Sequence, residues 1–202
     1  MVGAFFRHGS NGLLLGLIAL VAVLLALGVG GLHILGLLIG LVVFLGSEYT
    51  THRFLLHAEP LKNPTLLGLQ HRLHYDHHVE PTRLDLLFLP WWFVIPVTIV
   101  TAAIYFAITR DAGWTISLLF GSLLGLFYYE WVHYVAHVPF QPVTPYGRWI
   151  KKYHLWHHYK NEHLWFGVTN PSTDILGRTY RDVGDADRSG TTRILFPEQE
   201  TR

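Results

Sequence analysis

The sequence predicts an all-α integral membrane protein. The expected architecture is four transmembrane helices in two hairpins, with a histidine-rich two-metal site close to the membrane on one side. Three observations carry that prediction. Half of the 202 residues are hydrophobic and only 14% are charged, against about 25% in ordinary soluble proteins. Two long apolar stretches are each broken once by turn residues, as a hairpin requires. Ten of the 14 histidines fall into four short clusters in the polar stretches between and after them.

The elements follow in order. Residues 1–12 are short and polar, with Arg7 and His8. From Leu13 to Gly46 there is no formally charged residue over 34 positions. One span needs about 20 apolar residues, so this run suits two. Gly28-Val29-Gly30-Gly31 supplies the turn, giving helices over roughly 12–28 and 32–49. A signal peptide over the first half is disfavoured, because the run continues without a cleavage site. A polar stretch from Glu48 to Asp85 follows. The next apolar block runs from Leu86 to Ile108, breaks at Thr109–Gly113, and resumes from Trp114 to about Tyr129. Trp91, Trp92 and Trp114 suit the headgroup level. Residues 1–183 form one membrane-embedded domain on this reading, and the polar tail 184–202 is expected to be mobile, the alternative being an ordered strap.

Four spans put the N-terminus, the 48–85 segment and the C-terminal segment on one side. Arg7, Arg53, Lys62, Arg72, Arg83, Arg148, Lys151 and Lys152 all lie there, while the opposite loops carry only Arg110. That side is expected to be cytoplasmic. A bacterial inner membrane is favoured over the endoplasmic reticulum, since no retrieval signal is present. The net charge of +1 argues against a nucleic-acid partner. The lack of cysteine excludes disulfides, iron–sulfur clusters and thiol nucleophiles, so any metal must be held by His, Asp or Glu.

The clusters read His52-x4-His57, His74-x2-His77-His78, His133-x3-His137 and His154-x2-His157-His158. Residues three or four apart share a helical face. His133 and His137 are expected to meet one ion, as are His74 with His77 and His154 with His157. The second ring of each doublet then turns toward a neighbouring ion. His52 and His57 are five apart, so they need a helix end or a wider turn. Ten imidazoles exceed one ion's capacity, and two divalent metals is the natural count. Imidazole suits iron, zinc, copper and nickel; iron is the expected ion where redox chemistry is required, and zinc fits the same cage. Glu48, Glu130 and Asp76 are candidates to orient the ligands through hydrogen bonds, with Glu130 the preferred one. His71 is a possible addition to the site, His8 reads as a terminal surface residue, and His33 reads as structural.

This order of clusters, interleaved with two hairpins, resembles the fatty acid hydroxylase superfamily of integral-membrane di-metal oxygenases, a group related to sterol desaturases. Within it, the fatty acid 2-hydroxylase branch is the most similar. Trp165-Phe166-Gly167-Val168-Thr169-Asn170-Pro171, followed by Asp174, resembles that family's terminal motif. The resemblance covers roughly residues 30–180. It implies that His52, His57, His74, His77, His78, His133, His137, His154, His157 and His158 are metal ligands. It also implies a cytoplasmic helical cap that holds this site over the four-helix membrane base, and a catalytic role for the aromatic–acidic pair Tyr129-Glu130. Several eukaryotic members carry a fused cytochrome b5 domain, and these 202 residues hold no segment for one. The expected donor is therefore a separate cytochrome b5, ferredoxin or reductase.

The implied activity is a di-iron lipid hydroxylase that uses O2 on a fatty acyl or sphingolipid-type substrate drawn from the membrane. Trp91, Trp92, Phe93, Phe127 and Trp131 are candidate walls for the lipid chain. A desaturase or carotenoid hydroxylase would use the same cage. From another class, a metal-binding or transport protein stays open, although transport would place ligands mid-span.

Overall fold

The structure, a computed structural model, describes residues 2–196. All regular secondary structure among the described residues is helical, without a strand. The helices are α1 (Val2–Arg7), α2 (Gly9–Ala26), α3 (Ile34–Thr51), α4 (Pro64–Gln70), α5 (Asp76–Val79), α6 (Leu84–Leu87), α7 (Trp91–Thr109), α8 (Ala112–His137), α9 (Pro145–Tyr159) and α10 (Ser172–Gly177). Single π-helical turns occupy His52–Leu56 and His71–Tyr75. The chain divides into two compact units. Among the described residues, one comprises the segments up to 46 and 88–131, and the other 47–87 and the chain from 132 onward.

The first unit holds most of the membrane-crossing length. Four segments are long and apolar enough to span: Gly9–Ala26, Ile34–Leu56, Leu84–Thr109 and Ala112–His137. Their outward residues are apolar, as lipid requires; Leu20, Val42, Ile99 and Val100 are all exposed. The glycine turn forms as expected, with Gly28, Gly30 and Gly31 at φ 78°, 75° and 75°. Arg110 takes a left-handed conformation at the second turn. Asp111 Oδ1 then accepts from the Trp114 N–H at 2.8 Å and starts α8.

Between α3 and α8 the backbones touch. A Cβ on Gly121 would lie 2.0 Å from the Leu37 carbonyl oxygen, and one on Gly40 2.0 Å from that of Leu118. Ser122 Oγ donates to the Gly40 carbonyl at 3.0 Å. Small residues with a hydroxyl between them are how helices associate in lipid, where burial itself supplies no force. Gly121→Leu is therefore expected to destabilise the detergent-solubilised protein by about 1–3 kcal/mol. Gly16→Leu, whose Cβ meets nothing within 4 Å, is the control. Equal melting temperatures for the two variants would contradict the close approach.

Two of the expected lipid-wall residues have a packing role in this unit. Phe5 is fully buried and packs edge-on against Phe127 and Trp131, at 5.7 and 5.2 Å between ring centroids.

Two helix boundaries depart from the edges of the apolar blocks. The block from Leu86 is interrupted at residues 88–90, and α7 begins at Trp91 behind Pro90. The last apolar block stops near Tyr129, but its helix continues to His137. The change from apolar to polar residues at that point marks where the lipid face ends, not where the helix does. Pro139 comes next and disfavours further helix at the residue before it. Lys151 then reaches the α8 C-terminus and donates to the carbonyls of Val135 and Val138 at 2.8 and 2.6 Å.

In the second unit, α9 carries the last histidine cluster. Its start is capped by Thr144, whose hydroxyl accepts from Gly147 N–H, with Pro145 in the first turn. The expected mobile tail falls in part on residues 197–202, outside the described residues. Over 183–193 the chain makes hydrogen bonds back to this unit, including Ser189 N–H to the Lys160 carbonyl at 2.8 Å.

Candidate metal centre

All ten clustered histidines belong to the second unit, and the fold sorts them into two groups of five. One group is His52, His57, His74, His78 and His157; the other is His77, His133, His137, His154 and His158. Within each group one ring nitrogen per residue lies within 4.8 Å of all the others. His57 is half-buried and the other nine are buried.

The backbone explains the sorting. His52 and His57 need a wider turn, and the π-helical turn supplies it: the His57 N–H reaches the His52 carbonyl at 3.1 Å. The pairings inside the two doublet runs differ from expectation. His74 shares a group with His78, not His77, and His154 with His158, not His157. Ring centroids agree, at 4.6 Å for both of these pairs against 6.3 and 6.1 Å for the expected ones. At about 100° per residue, positions four apart differ by about 40° around the helix and positions three apart by about 60°. The tighter offset wins, and the middle histidine of each run turns to the other group.

The Nε2 atoms converge. His74 Nε2 lies 2.7 Å from His57 Nε2, 3.0 Å from His78 Nε2 and 3.2 Å from His52 Nε2. In the other group His133 Nε2 is 3.0 Å from His77 Nε2, and His137 Nε2 is 2.9 Å from His154 Nε2. Three rings have a defined tautomer. His52 Nδ1 faces the Phe166 carbonyl at 2.5 Å, His157 Nδ1 that of Leu164 at 2.7 Å, and His78 Nδ1 that of Thr192 at 2.9 Å. A carbonyl only accepts, so each Nδ1 carries the proton and each Nε2 presents a lone pair. Lone pairs from His52 and His78 thus both point at His74 Nε2, where one N–H would not serve them all.

A shared cation would. Nitrogens about 2.0–2.1 Å from one ion and at right angles to each other stand about 2.9 Å apart, within the observed range. His158 points the same way. It is completely buried, and neither ring nitrogen has a hydrogen-bond partner among the described residues. A buried imidazole with nothing to bind is costly. Burial pushes His57, His74, His77, His78, His154, His157 and His158 well below the ordinary imidazole range, and neighbouring histidines add to it. The rings stay neutral, which is the form a metal needs.

The loop over the first group is held by two buried carboxylates. Asp174 accepts from the N–H groups of Phe166 and Gly167 at 2.8 and 2.7 Å, and from the hydroxyls of Tyr153 and Thr179 at 2.9 and 2.6 Å. Glu48 accepts from the N–H groups of Val168 and Thr169 at 2.7 and 2.9 Å. Trp165 sits at φ 60°, unusual for a bulky residue. It is fixed there by full burial and by N–H bonds to the carbonyls of Thr179 and Arg181.

Three acidic candidates therefore have other partners. Glu48 holds the loop whose carbonyl orients His52, one step removed from the ring. Asp76 bonds His71 Nδ1 at 2.9 Å, and that pair lies outside both groups. Glu130 is buried in the first unit, where it accepts from the Leu89 N–H at 3.1 Å. Tyr129, in the same unit, packs edge-on against Phe44. The sequence reading missed the carbonyls of Leu164, Phe166 and Thr192. Nothing in side-chain identity announces a backbone acceptor.

The fatty acid hydroxylase family model matches residues 37–179. The chain belongs to the fatty acid hydroxylase family. It is 33% identical to the ceramide very long chain fatty acid hydroxylase SCS7 of Saccharomyces cerevisiae, over 70% of this chain and 37% of that protein. It is 30% identical to the dihydroceramide fatty acyl 2-hydroxylase FAH1 of Arabidopsis thaliana, over 68% of this chain and 56% of that one. The fatty acid 2-hydroxylase of Rattus norvegicus is also 30% identical, over 74% and 39%. This family member therefore spans well under two thirds of these relatives' length. A solved structure of full-length scs7p, in which only the hydroxylase domain is visible, superposes with a TM-score of 0.77 at 27% identity. It covers 87% of this chain and 67% of that one.

Proposed function

We propose that this chain is a membrane lipid hydroxylase with a two-metal centre. It converts a C–H bond of a fatty acyl or ceramide-type lipid to C–OH, consuming one O2, two electrons and two protons and releasing water. The observation that carries the reading is the pair of five-imidazole groups in a member of the fatty acid hydroxylase family. The activities named for its relatives supply the substrate class.

The ten histidines are the proposed ligands, five to each ion. Iron is the proposed native metal, with zinc able to occupy the same sites. When bound, iron supplies the redox chemistry that reduces O2 and oxidises an unactivated C–H bond. The chain's own part is to hold neutral imidazoles in a buried pocket, to fix their tautomers through backbone carbonyls, and to keep bulk water away. Electrons come from a donor of the cytochrome b5, ferredoxin or reductase type. The Lys and Arg distribution favours a cytoplasmic centre. Glu130 and Tyr129 are assigned to the reacting lipid's surroundings. Glu130→Gln keeps an acceptor for the Leu89 N–H, so it is expected to retain metal while losing turnover.

The test uses purified protein in vesicles containing ceramide, with iron, a reductase system and O2. Hydroxylated acyl product in step with O2 uptake is the expected result. A new double bond instead of a hydroxyl would replace hydroxylation with desaturation. Metal flux without O2 uptake would overturn the enzyme reading.

A further inference from the structure

We infer that the segment 183–193 is a strap that positions one of the two histidine groups and leaves the other alone. The inference rests on the reading of the ten histidines as ligands, and it adds a component from outside the residues that the family model matches, which end at 179.

The strap is bonded to α9 and the turn after it. Ser189 N–H donates to the Lys160 carbonyl at 2.8 Å. The Ser189 hydroxyl donates to Glu162 Oε1 at 2.8 Å, and the Thr191 hydroxyl to the same oxygen. Glu162 is 1% exposed, so this anchor is an interior one. The next residue makes the functional contact: the Thr192 carbonyl accepts from His78 Nδ1 at 2.9 Å. That bond puts the proton on Nδ1 and aims the His78 lone pair at the first group's centre.

Selectivity comes from the contrast between the groups. In the first, the loop carbonyls of Phe166 and Leu164 hold His52 and His157, and the strap completes the set at His78. In the second, Nδ1 of His77, His137, His154 and His158 has no hydrogen-bond partner among the described residues. The strap therefore acts on the first group's affinity. Loss of such an outer partner weakens metal binding by about 10- to 100-fold.

The experiment measures zinc affinity by chelator competition in two backgrounds. His137→Ala breaks the second group and leaves the first to report, and His74→Ala does the converse. Each is compared with and without a stop after Val183, and with and without Ser189→Ala/Thr191→Ala in the full-length chain. The double variant carries the test if truncation lowers helix content by circular dichroism. The expected result is zinc affinity about 10- to 100-fold weaker in the His137→Ala background and unchanged in the His74→Ala background. Equal weakening in both backgrounds, or none in either, overturns the strap's role. If the His137→Ala protein with an intact strap binds no zinc while the native protein does, the five-histidine grouping fails first. If the native protein binds none, the ligand reading falls, and this inference with it.

Discussion

His74→Ala is expected to remove about one of two metals per chain and to reduce lipid oxidation to background, a loss of at least about 1000-fold, since a two-metal centre acts as a unit. His74 is the hub of its group: three other Nε2 atoms lie 2.7 to 3.2 Å from its own. Alanine takes away a ligand and leaves a space among lone pairs that now repel. The control is His71→Ala, from the same run of sequence. His71 is half-exposed, is bonded to Asp76, and belongs to neither group. Metal content and product formation are expected to match the native protein there. Metal analysis on both variants, beside product quantification, decides the matter. Two metals retained in His74→Ala would overturn the assignment, and loss of metal in His71→Ala would extend the centre beyond ten histidines.

Much of this architecture is legible in the sequence because its signals are local. The uncharged run from Leu13 to Gly46 with glycines at its middle has few alternatives to a hairpin in lipid. The histidine clusters identify their own members for the same reason. What was not legible depends on backbone geometry that side chains do not encode. The π-helical turn at His52 changes which residues share a face, yet its sequence, His52-Arg53-Phe54-Leu55-Leu56, has no residue that demands it. The partition of each doublet run turns on a difference of about 20° around a helix. Near Tyr129 hydropathy reports the edge of the lipid and not the end of α8, for Val132 to His137 remain helical and serve the second unit. Glu48 drew notice as an acidic residue one turn from a histidine, but its partners are 120 residues away in sequence. Only the folded chain reveals that it holds a loop instead of a ring.

That loop gives the second large effect. Asp174→Ala is expected to destabilise the protein by about 3–5 kcal/mol, since it strips the acceptor from several buried donors at about 1–3 kcal/mol each. The carboxylate is fully buried and receives four donors, from Phe166, Gly167, Tyr153 and Thr179. Alanine leaves the N–H groups of Phe166 and Gly167 and the Tyr153 hydroxyl without their acceptor, while the Thr179 hydroxyl keeps only Tyr49. Against about 5–15 kcal/mol of total stability, the loss is severe. Asp174→Asn is the milder and more informative variant. Its amide keeps one acceptor oxygen but turns an NH2 toward groups that also donate, so the backbone of residues 166–167 must shift. The Phe166 carbonyl shifts with it, and that carbonyl fixes His52. First-group metal affinity is then expected to fall by about 10- to 100-fold in protein that is still folded. Glu48→Gln acts on the same loop through Val168 and Thr169. The two changes should therefore be non-additive, since one displaced loop cannot be displaced again. Zinc affinity and thermal midpoint, measured on both single variants and the double, test this coupling. Strict additivity would mean that the two carboxylates act on separate structures, and that the loop is not the element that orients His52.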